Sequence, residues 1–504
     1  MKVKNARLYA LSVLVGLFAG IFGSAFRWLL EQSLTVRELM FRHNQTLLYY
    51  IIVIICMWVI AMIINWMITK IPLIGGSGIP QSRGVIFGRF KFTSPWKQFV
   101  SKFFGSLSAI GMGLSLGREG PSVEIGAIGA SVIGKYFKTT PTEDRYLTVA
   151  GAGAGLAAAF TAPIASVVFL LEDLMKWVSL RISLPALISC FAAGYCAQFI
   201  FKENVYLTVP ITYPDLGFWP LFLILAGFAF IGTVGGKLFN CCLFFCKRNY
   251  SNLHIPVILK LLVVIMITFF AGMLILDLIS GGETELINQM LKDNGNIGWL
   301  FAMVLIKIIL TAISYSTGLC GSLLLPLIVM GGLCGKAYAL IFVQLGILSP
   351  TTVGFFTMIG MSAFFISVVR APISGMMLIL EMTGKYEIFY PMIITGTLTF
   401  LLGQYLHVKP VYDTLYQMML QDEHRAYGKT VEVHFEVNAH SILLGRSVAD
   451  IKLPPNSEII GIKRVDTQTT AIDQPLKIGD VIQVNILSDQ YEEIFHVIRA
   501  LTNE

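Results

Sequence analysis

The sequence predicts an all-α polytopic membrane domain of two repeats with broken helices over residues 1–420, followed by a small α+β domain over residues 421–504. Three observations predict it. Of 504 residues, 55% are hydrophobic and only 13% charged, whereas a soluble globular chain carries about 25% charged residues. Apolar runs near the length of about 20 residues that crosses a bilayer recur as far as Leu406. After residue 420 the composition changes, and short alternating segments replace the apolar runs.

The first run, Leu8 to Phe26, follows Lys2, Lys4 and Arg7. No small-residue cleavage site followed by a polar mature sequence appears, so it reads as a membrane helix rather than a signal peptide. Its basic flank predicts a cytoplasmic N-terminus. Further runs are Leu47 to Met67, Val149 to Leu171, Leu184 to Phe201, Pro220 to Val234, Val257 to Leu276, Trp299 to Ile313, Leu319 to Leu345 and Ile388 to Leu406. A soluble enzyme with buried core helices would need charged amphipathic helices around them. None occurs before residue 409.

The 37 basic and 30 acidic residues suit a membrane protein, and no basic, aromatic-interleaved patch points to a nucleic acid polymer. The seven histidines are scattered, and none of the eight cysteines has a histidine at metal-ligand spacing. No metal, resident cofactor or catalytic nucleophile is therefore expected. Cys242 and Cys246, one helical turn apart, read as packed thiols.

Two stretches look alike. Thr161-Ala162-Pro163-Ile164-Ala165-Ser166 leads to Leu171-Glu172, and Arg370-Ala371-Pro372-Ile373-Ser374-Gly375 leads to Leu380-Glu381, 209 residues further on. Upstream, Gly117-Arg118-Glu119-Gly120-Pro121 and Gly321-Ser322-Leu323-Leu324-Leu325-Pro326 each have a glycine five residues past the proline, at Gly126 and Gly331. Duplicated, interrupted apolar segments are the pattern of transporters whose broken helices aim their ends at a site near the midplane.

Those two glycine-rich motifs and Gly76-Ser77-Gly78-Ile79-Pro80 place glycine shortly before proline. Glycine lets the backbone turn, and proline suits the first helical turn. Each motif therefore predicts a helix N-terminus inside the membrane, with unpaired N–H groups and the positive end of the helix dipole. Several aimed at one point would hold a dehydrated anion without a full positive charge, and so let it leave again.

Gly76 to Pro80 and Gly117 to Pro121 match the GSGIP and GREGP signatures of the CLC family of chloride channels and chloride/proton exchangers, which this chain resembles over residues 8 to 420. Gly321 to Pro326 is a looser form of the family's third motif, and Lys409-Pro410-Val411-Tyr412 matches its K-P-x-Y segment. The resemblance implies inverted repeats, a homodimer in the cell membrane and transport of chloride. It assigns the Ser77 and Tyr412 hydroxyls and the backbone N–H groups of Leu323 and Leu324 to a central chloride, with Arg118 and Gly120 beside them. Leu324 stands where an aromatic is common. Ser77, rather than proline, resembles the chloride-preferring members.

Glu119 resembles the family's gating glutamate, which takes the anion's place when ionised and leaves it when protonated; a buried ionisable residue in a membrane segment is a functional candidate in any case. Exchangers of the family carry a second, internal acid where this chain has Asp173. Aspartate is titratable but one methylene shorter. Arg83, where exchangers often have an acid, is expected to pair with Asp173 and make it a poorer proton acceptor. Proton-coupled exchange is thus expected over a passive gated channel, and either over a membrane-anchored sensor. Glu172 and Glu381 read as structural, and the role of Glu124 stays open.

Beyond residue 420, Val431 to Val437, Glu458 to Lys463 and Asp480 to Ile486 read as strands. Asp489 to Leu501 reads as an amphipathic helix with Tyr491, Ile494, Phe495, Val497 and Ile498 as its apolar set. The segments Leu444-Gly445-Arg446-Ser447 and Leu476 to Ile482 resemble the C-terminal domain of TrkA-type potassium-transport regulators. That resemblance implies a cytoplasmic domain that pairs in dimers, with a regulatory nucleotide or simple assembly as its alternative uses.

Overall fold

The computed structural model describes residues 2–41, 45–176, 180–202, 205–274, 296–427, 430–437, 441–451, 453–464, 475–487 and 491–502. The first half holds α1 (Lys2–Met40), α2 (Leu47–Lys70), α3 (Ile79–Ile86), α4 (Pro95–Gly111), α5 (Glu119–Tyr136), α6 (Pro141–Phe160), α7 (Pro163–Phe169) and α8 (Leu180–Phe201). The second holds α9 (Phe218–Asn252), α10 (Val257–Leu274), α11 (Ile297–Ser316), α12 (Leu324–Gln344), α13 (Val353–Val369), α14 (Pro372–Thr383) and α15 (Phe389–Tyr405). Then α16 (Val411–Tyr427) runs across residue 420 toward the C-terminal sheet. Among the described residues nine helices are long and apolar enough to cross a membrane. The end of the run expected to reach Leu276 lies outside the described residues.

The repeat is visible in backbone detail. α6 ends on Thr161 in the left-handed region (φ 55°), and α13 ends on Arg370 likewise (φ 69°). Each is followed by an extended alanine and then by the proline that opens α7 or α14. The single run expected from Val149 to Leu171 is therefore two helices, because Pro163 has no N–H to continue the first.

The two short helices cap each other. Glu381, on the last turn of α14, accepts from the N–H groups of Ile164 (3.0 Å) and Ala165 (2.6 Å) at the start of α7. Glu172, just past α7, accepts from the N–H groups of Ile373 (3.1 Å) and Ser374 (2.6 Å) at the start of α14. Equivalent atoms exchanging equivalent bonds place the two repeats about a local twofold axis. Both glutamates are structural, as expected, and each satisfies orphan first-turn donors of a helix from the other repeat.

Small residues set the packing of the inner helices. A Cβ at Gly126 of α5 would strike the carbonyl of Gly151 on α6, and one at Gly331 of α12 would strike that of Gly360 on α13. Such glycine-on-glycine crossings let backbones approach where dispersion rather than water exclusion drives association. Cys242 and Cys246, expected as packed thiols, are half-buried, and the other cysteines vary. Cys190, Cys320 and Cys334 are buried, but Cys56 and Cys241 are exposed on the apolar outer surface, where lipid can solvate a thiol.

After α16 come β1 (Thr430–Glu436), β2 (Ser457–Lys463), β3 (Val481–Leu487) and α17 (Tyr491–Thr502). They form an antiparallel sheet in the order β1-β3-β2. Ile494, Phe495 and Ile498 of α17 are buried on the sheet, whereas Val497, expected among them, faces outward at 42% exposure. Its core includes a foreign side chain. Phe87, the residue after α3, is buried in it and meets Phe495 edge-on at 5.7 Å.

Candidate anion and proton site

Three chain segments meet at one point. In the first, Gly76 (φ 67°) and Gly78 (φ 97°) take left-handed conformations that a side chain would strain, and Gly78 caps α3. Gln81 locks this loop: its Oε1 accepts from the Gly78 N–H (2.8 Å), and its Nε2 donates to the Gly75 carbonyl (2.5 Å). The other two segments precede α5 and α12.

Backbone bonds stitch the three together. The Gly117 N–H donates to the Ser322 carbonyl (2.7 Å), and the Ser322 N–H donates back to Gly117 (2.8 Å). Gly76 donates to the Gly318 carbonyl (2.9 Å) and accepts from the Gly321 N–H (3.0 Å). Gly117 and Ser322 are repeat-equivalent, so the repeat axis passes between them. The first turns of α3, α5 and α12, whose N–H groups have no intrahelical acceptor, are thereby held against one another.

The predicted residues fall into this junction. The hydroxyls of Ser77 and Ser322 lie 3.3 Å apart. Tyr412, the second residue of α16, brings its buried phenol opposite Ser322 without closing a well-formed hydrogen bond. The Tyr315 hydroxyl faces the Ser77 backbone. Gly120 has no room for a side chain, since a Cβ there would run into the Ser77 carbonyl and the Ser322 side chain. Leu323 is the cap residue of α12 and Leu324 its first helical residue, so both present backbone N–H groups to the junction. The change to leucine at 324 leaves those donors intact.

Glu119, the first residue of α5, is fully buried, and its carboxylate folds back over Gly117, where a Cβ would collide with Oε2. The Arg118 side chain turns elsewhere. It donates to the Tyr206 hydroxyl and stacks 5.1 Å from that ring. Its contribution to the junction is therefore the start of α5 and a long-range field.

A buried ion pair, not anticipated as such, braces the first loop. Lys102 of α4 donates to the carbonyls of Ile74 (2.9 Å) and Gly76 (3.0 Å) and pairs with Glu124 of α5 at 2.7 Å. Both side chains are fully buried. This gives Glu124 its role. Lys102 lies in a helix whose pattern looks merely amphipathic, which is why its loop contacts were not legible.

Tyr412 also borders a second cluster. Asp173 sits in a widened turn, Leu170–Met175, that continues α7, and its Oδ2 is buried with no hydrogen bond. The expected ion pair is made with another acid: Arg83 of α3 pairs with Asp413 at 2.5 Å, and Lys176 binds the other oxygen of Asp413, while both cations stay within electrostatic range of Asp173. The reason is position. Asp413 follows Tyr412 on α16, and that helix lies across α3, where Tyr416 also stacks on Arg83 at 5.0 Å. Among the described residues Asp173 has no paired cation. The Tyr412 phenol is within electrostatic range of both Glu119 and Asp173.

Comparison with known proteins agrees with this architecture. The profile of the voltage-gated chloride channel family matches residues 60–404. A curated relative, the H(+)/Cl(−) exchange transporter ClcA of Vibrio cholerae serotype O1, is 32% identical over 433 residues, covering 82% of this chain and 90% of the relative. Among solved structures, a slow cyanobacterial Cl−/H+ antiporter superposes with a TM-score of 0.77 at 24% identity, covering 83% of this chain and 99% of that one. A eukaryotic CLC transporter gives 0.68 at 22% identity, covering 83% and 75% respectively. At these identities the structural likeness is one of fold. Family profile, relative and fold agree: the chain belongs to the voltage-gated chloride channel, or CLC, family.

Proposed function

We propose that this protein exchanges chloride for protons across the cell membrane, with Glu119 as gate and proton carrier and Asp173 as the internal proton-transfer group. The observation that carries the reading is the buried Glu119 carboxylate at a junction of three helix N-termini lined by the Ser77 and Tyr412 hydroxyls. Neutral donors there favour an anion, and the carboxylate is an anion tethered to the wall. Ionised, it competes with chloride for the same donors; protonated, it loses that attraction and swings away, so anion and proton movement become linked.

Asp173 supports exchange over passive conduction. With Arg83 and Lys176 paired to Asp413, Asp173 is left able to take up and release a proton within reach of Tyr412. The named activity of the 32%-identical relative points the same way. The test is chloride-driven proton movement in liposomes. Uphill proton transport that disappears in both Glu119→Gln and Asp173→Ala supports exchange; chloride flux without proton movement in the unaltered protein would make it a channel.

In the proposed homodimer each subunit is read as holding its own pathway. The chain termini are proposed to face the cytoplasm. The C-terminal sheet is proposed as a TrkA-C-like regulatory domain. Its two signature segments bond to each other through Gly445 N–H to Leu476 carbonyl (2.9 Å) and Leu476 N–H to Arg446 carbonyl (3.0 Å). Calorimetry with nucleotides on the full chain tests whether that domain takes a regulatory ligand.

A further inference from the structure

The hydroxyl of Ser322 is not among the groups the resemblance assigns, yet it sits at the centre of the junction. It lies 3.3 Å from Ser77 Oγ and opposite the Tyr412 phenol, and all three side chains are buried. The phenol oxygen faces the Ser322 hydroxyl and closes no well-formed hydrogen bond among the described residues. A buried, unpartnered hydroxyl is expensive unless something fills the space before it. Two serine hydroxyls at 3.3 Å share only one proton between them, so at least one of their two donors is unused.

The repeat axis sharpens the point. Gly117 and Ser322 are equivalent positions, joined by a reciprocal pair of backbone bonds. On the first side the position is glycine, and the Glu119 carboxylate lies where a Cβ would stand. On the second side no carboxylate intervenes, and the same backbone position carries a hydroxyl. One half of the junction is cleared for the gate, and the other is furnished with a donor.

We propose that Ser322 is a third hydroxyl ligand of the transported anion, beside Ser77 and Tyr412, and that it sets the preference for small, strongly hydrated anions over large, weakly hydrated ones. When the site is empty, one serine donates to the other and the second proton is left over. When an anion enters, both rotate their protons onto it, and the Tyr412 phenol completes a ring of three O–H donors. An additional short donor gains most with a small ion of concentrated charge and adds bulk against a large one.

The inference rests on the reading of the protein as a chloride transporter, and the experiment separates the two. Sodium chloride is titrated calorimetrically into the purified full chain, and chloride and thiocyanate efflux are compared in liposomes, for the unaltered protein, Ser322→Ala and Ser322→Gly. Both changes only remove atoms. Losing a hydrogen bond to a charged group predicts chloride binding weaker by roughly tenfold or more, with the chloride-over-thiocyanate preference falling in step. A purely structural serine would alter stability and leave the preference alone. Should neither variant purify intact, Ser322→Cys keeps the side-chain shape, slightly enlarged, with a much weaker donor and is expected to show the same loss.

Chloride affinity and preference within about twofold of the unaltered protein (below 0.5 kcal/mol) would overturn the assignment while leaving chloride transport standing. An unaltered protein that neither binds nor moves chloride would remove both.

Discussion

The two ends of the proposed route are held by different chemistry. At Glu119 the junction is knitted by main-chain bonds among Gly76, Gly117, Gly318, Gly321 and Ser322 and braced by the buried Lys102–Glu124 pair. At Asp173 the arrangement depends on side chains alone, with Arg83 and Lys176 gathered on Asp413. Backbone bonds survive substitution and fix donors in space, whereas side-chain pairs can be retuned by one mutation. The anion end is therefore rigid and the proton end adjustable.

The largest expected effect breaks the anion end at its one mobile part. Glu119→Gln removes the charge that competes with chloride and the proton that travels with it, while the backbone junction stays in place. Proton transport in liposomes is expected to fall below detection, with chloride flux continuing. Loss of both fluxes would mean that Glu119 holds the junction together rather than gating it.

Next in size is the brace. Lys102→Met strands Glu124 as an unpaired buried acid and frees the Ile74 and Gly76 carbonyls, and breaking such a pair costs about 3–5 kcal/mol. Thermal denaturation in detergent should show a large loss. The double change Lys102→Met with Glu124→Gln should recover much of it, since no charge then remains to be stranded. A double variant no better than the single would locate the effect in the two carbonyls instead.

At the proton end, Asp413→Asn should release Arg83, and Lys176 with it, toward Asp173, which lies within electrostatic range of both. A guanidinium in contact with a carboxylate alters its proton equilibrium tenfold or more, so coupled proton transport should drop by roughly that factor while chloride binding holds. Adding Arg83→Gln should restore proton transport. Retained coupling in Asp413→Asn would show that Arg83 cannot reach Asp173.

The contrast also explains what was legible in the sequence. Helix starts announced by glycine and proline, at residues 76–80, 117–121 and 321–326, are local signals, and all three lie where they were expected. So are the alternating strands after residue 430. The pairing of Arg83 with Asp413 joins residues on α3 and α16, and the brace of Lys102 crosses to α5. No spacing rule connects such positions. In the sequence Ser322 reads only as part of a helix start, because its hydroxyl acquires meaning only once the repeat axis sets it beside Ser77. The inward burial of Phe87 in the C-terminal core was invisible for the same reason.

That burial supplies the smallest expected effect. α3 spans both regimes: Ser77 and Gly78 lie at its start, Arg83 in its last turn, and Phe87 just beyond it in the C-terminal core. Arg145, at the start of α6, adds a bond to the His434 carbonyl (3.4 Å) and lies 5.1 Å from the Phe495 ring. Phe87→Ala with Arg145→Ala should loosen this docking. If the start of α3 is locked independently by Gln81, Lys102 and the backbone bonds, chloride affinity should stay within about twofold, under 0.5 kcal/mol. The Arg83 end has no such lock, so the proton-to-chloride ratio should move more than the affinity does. A large change in chloride affinity, read by calorimetry on the double variant, would show instead that α3 transmits the docking as a rigid rod, and the division between a fixed anion end and an adjustable proton end would not survive it.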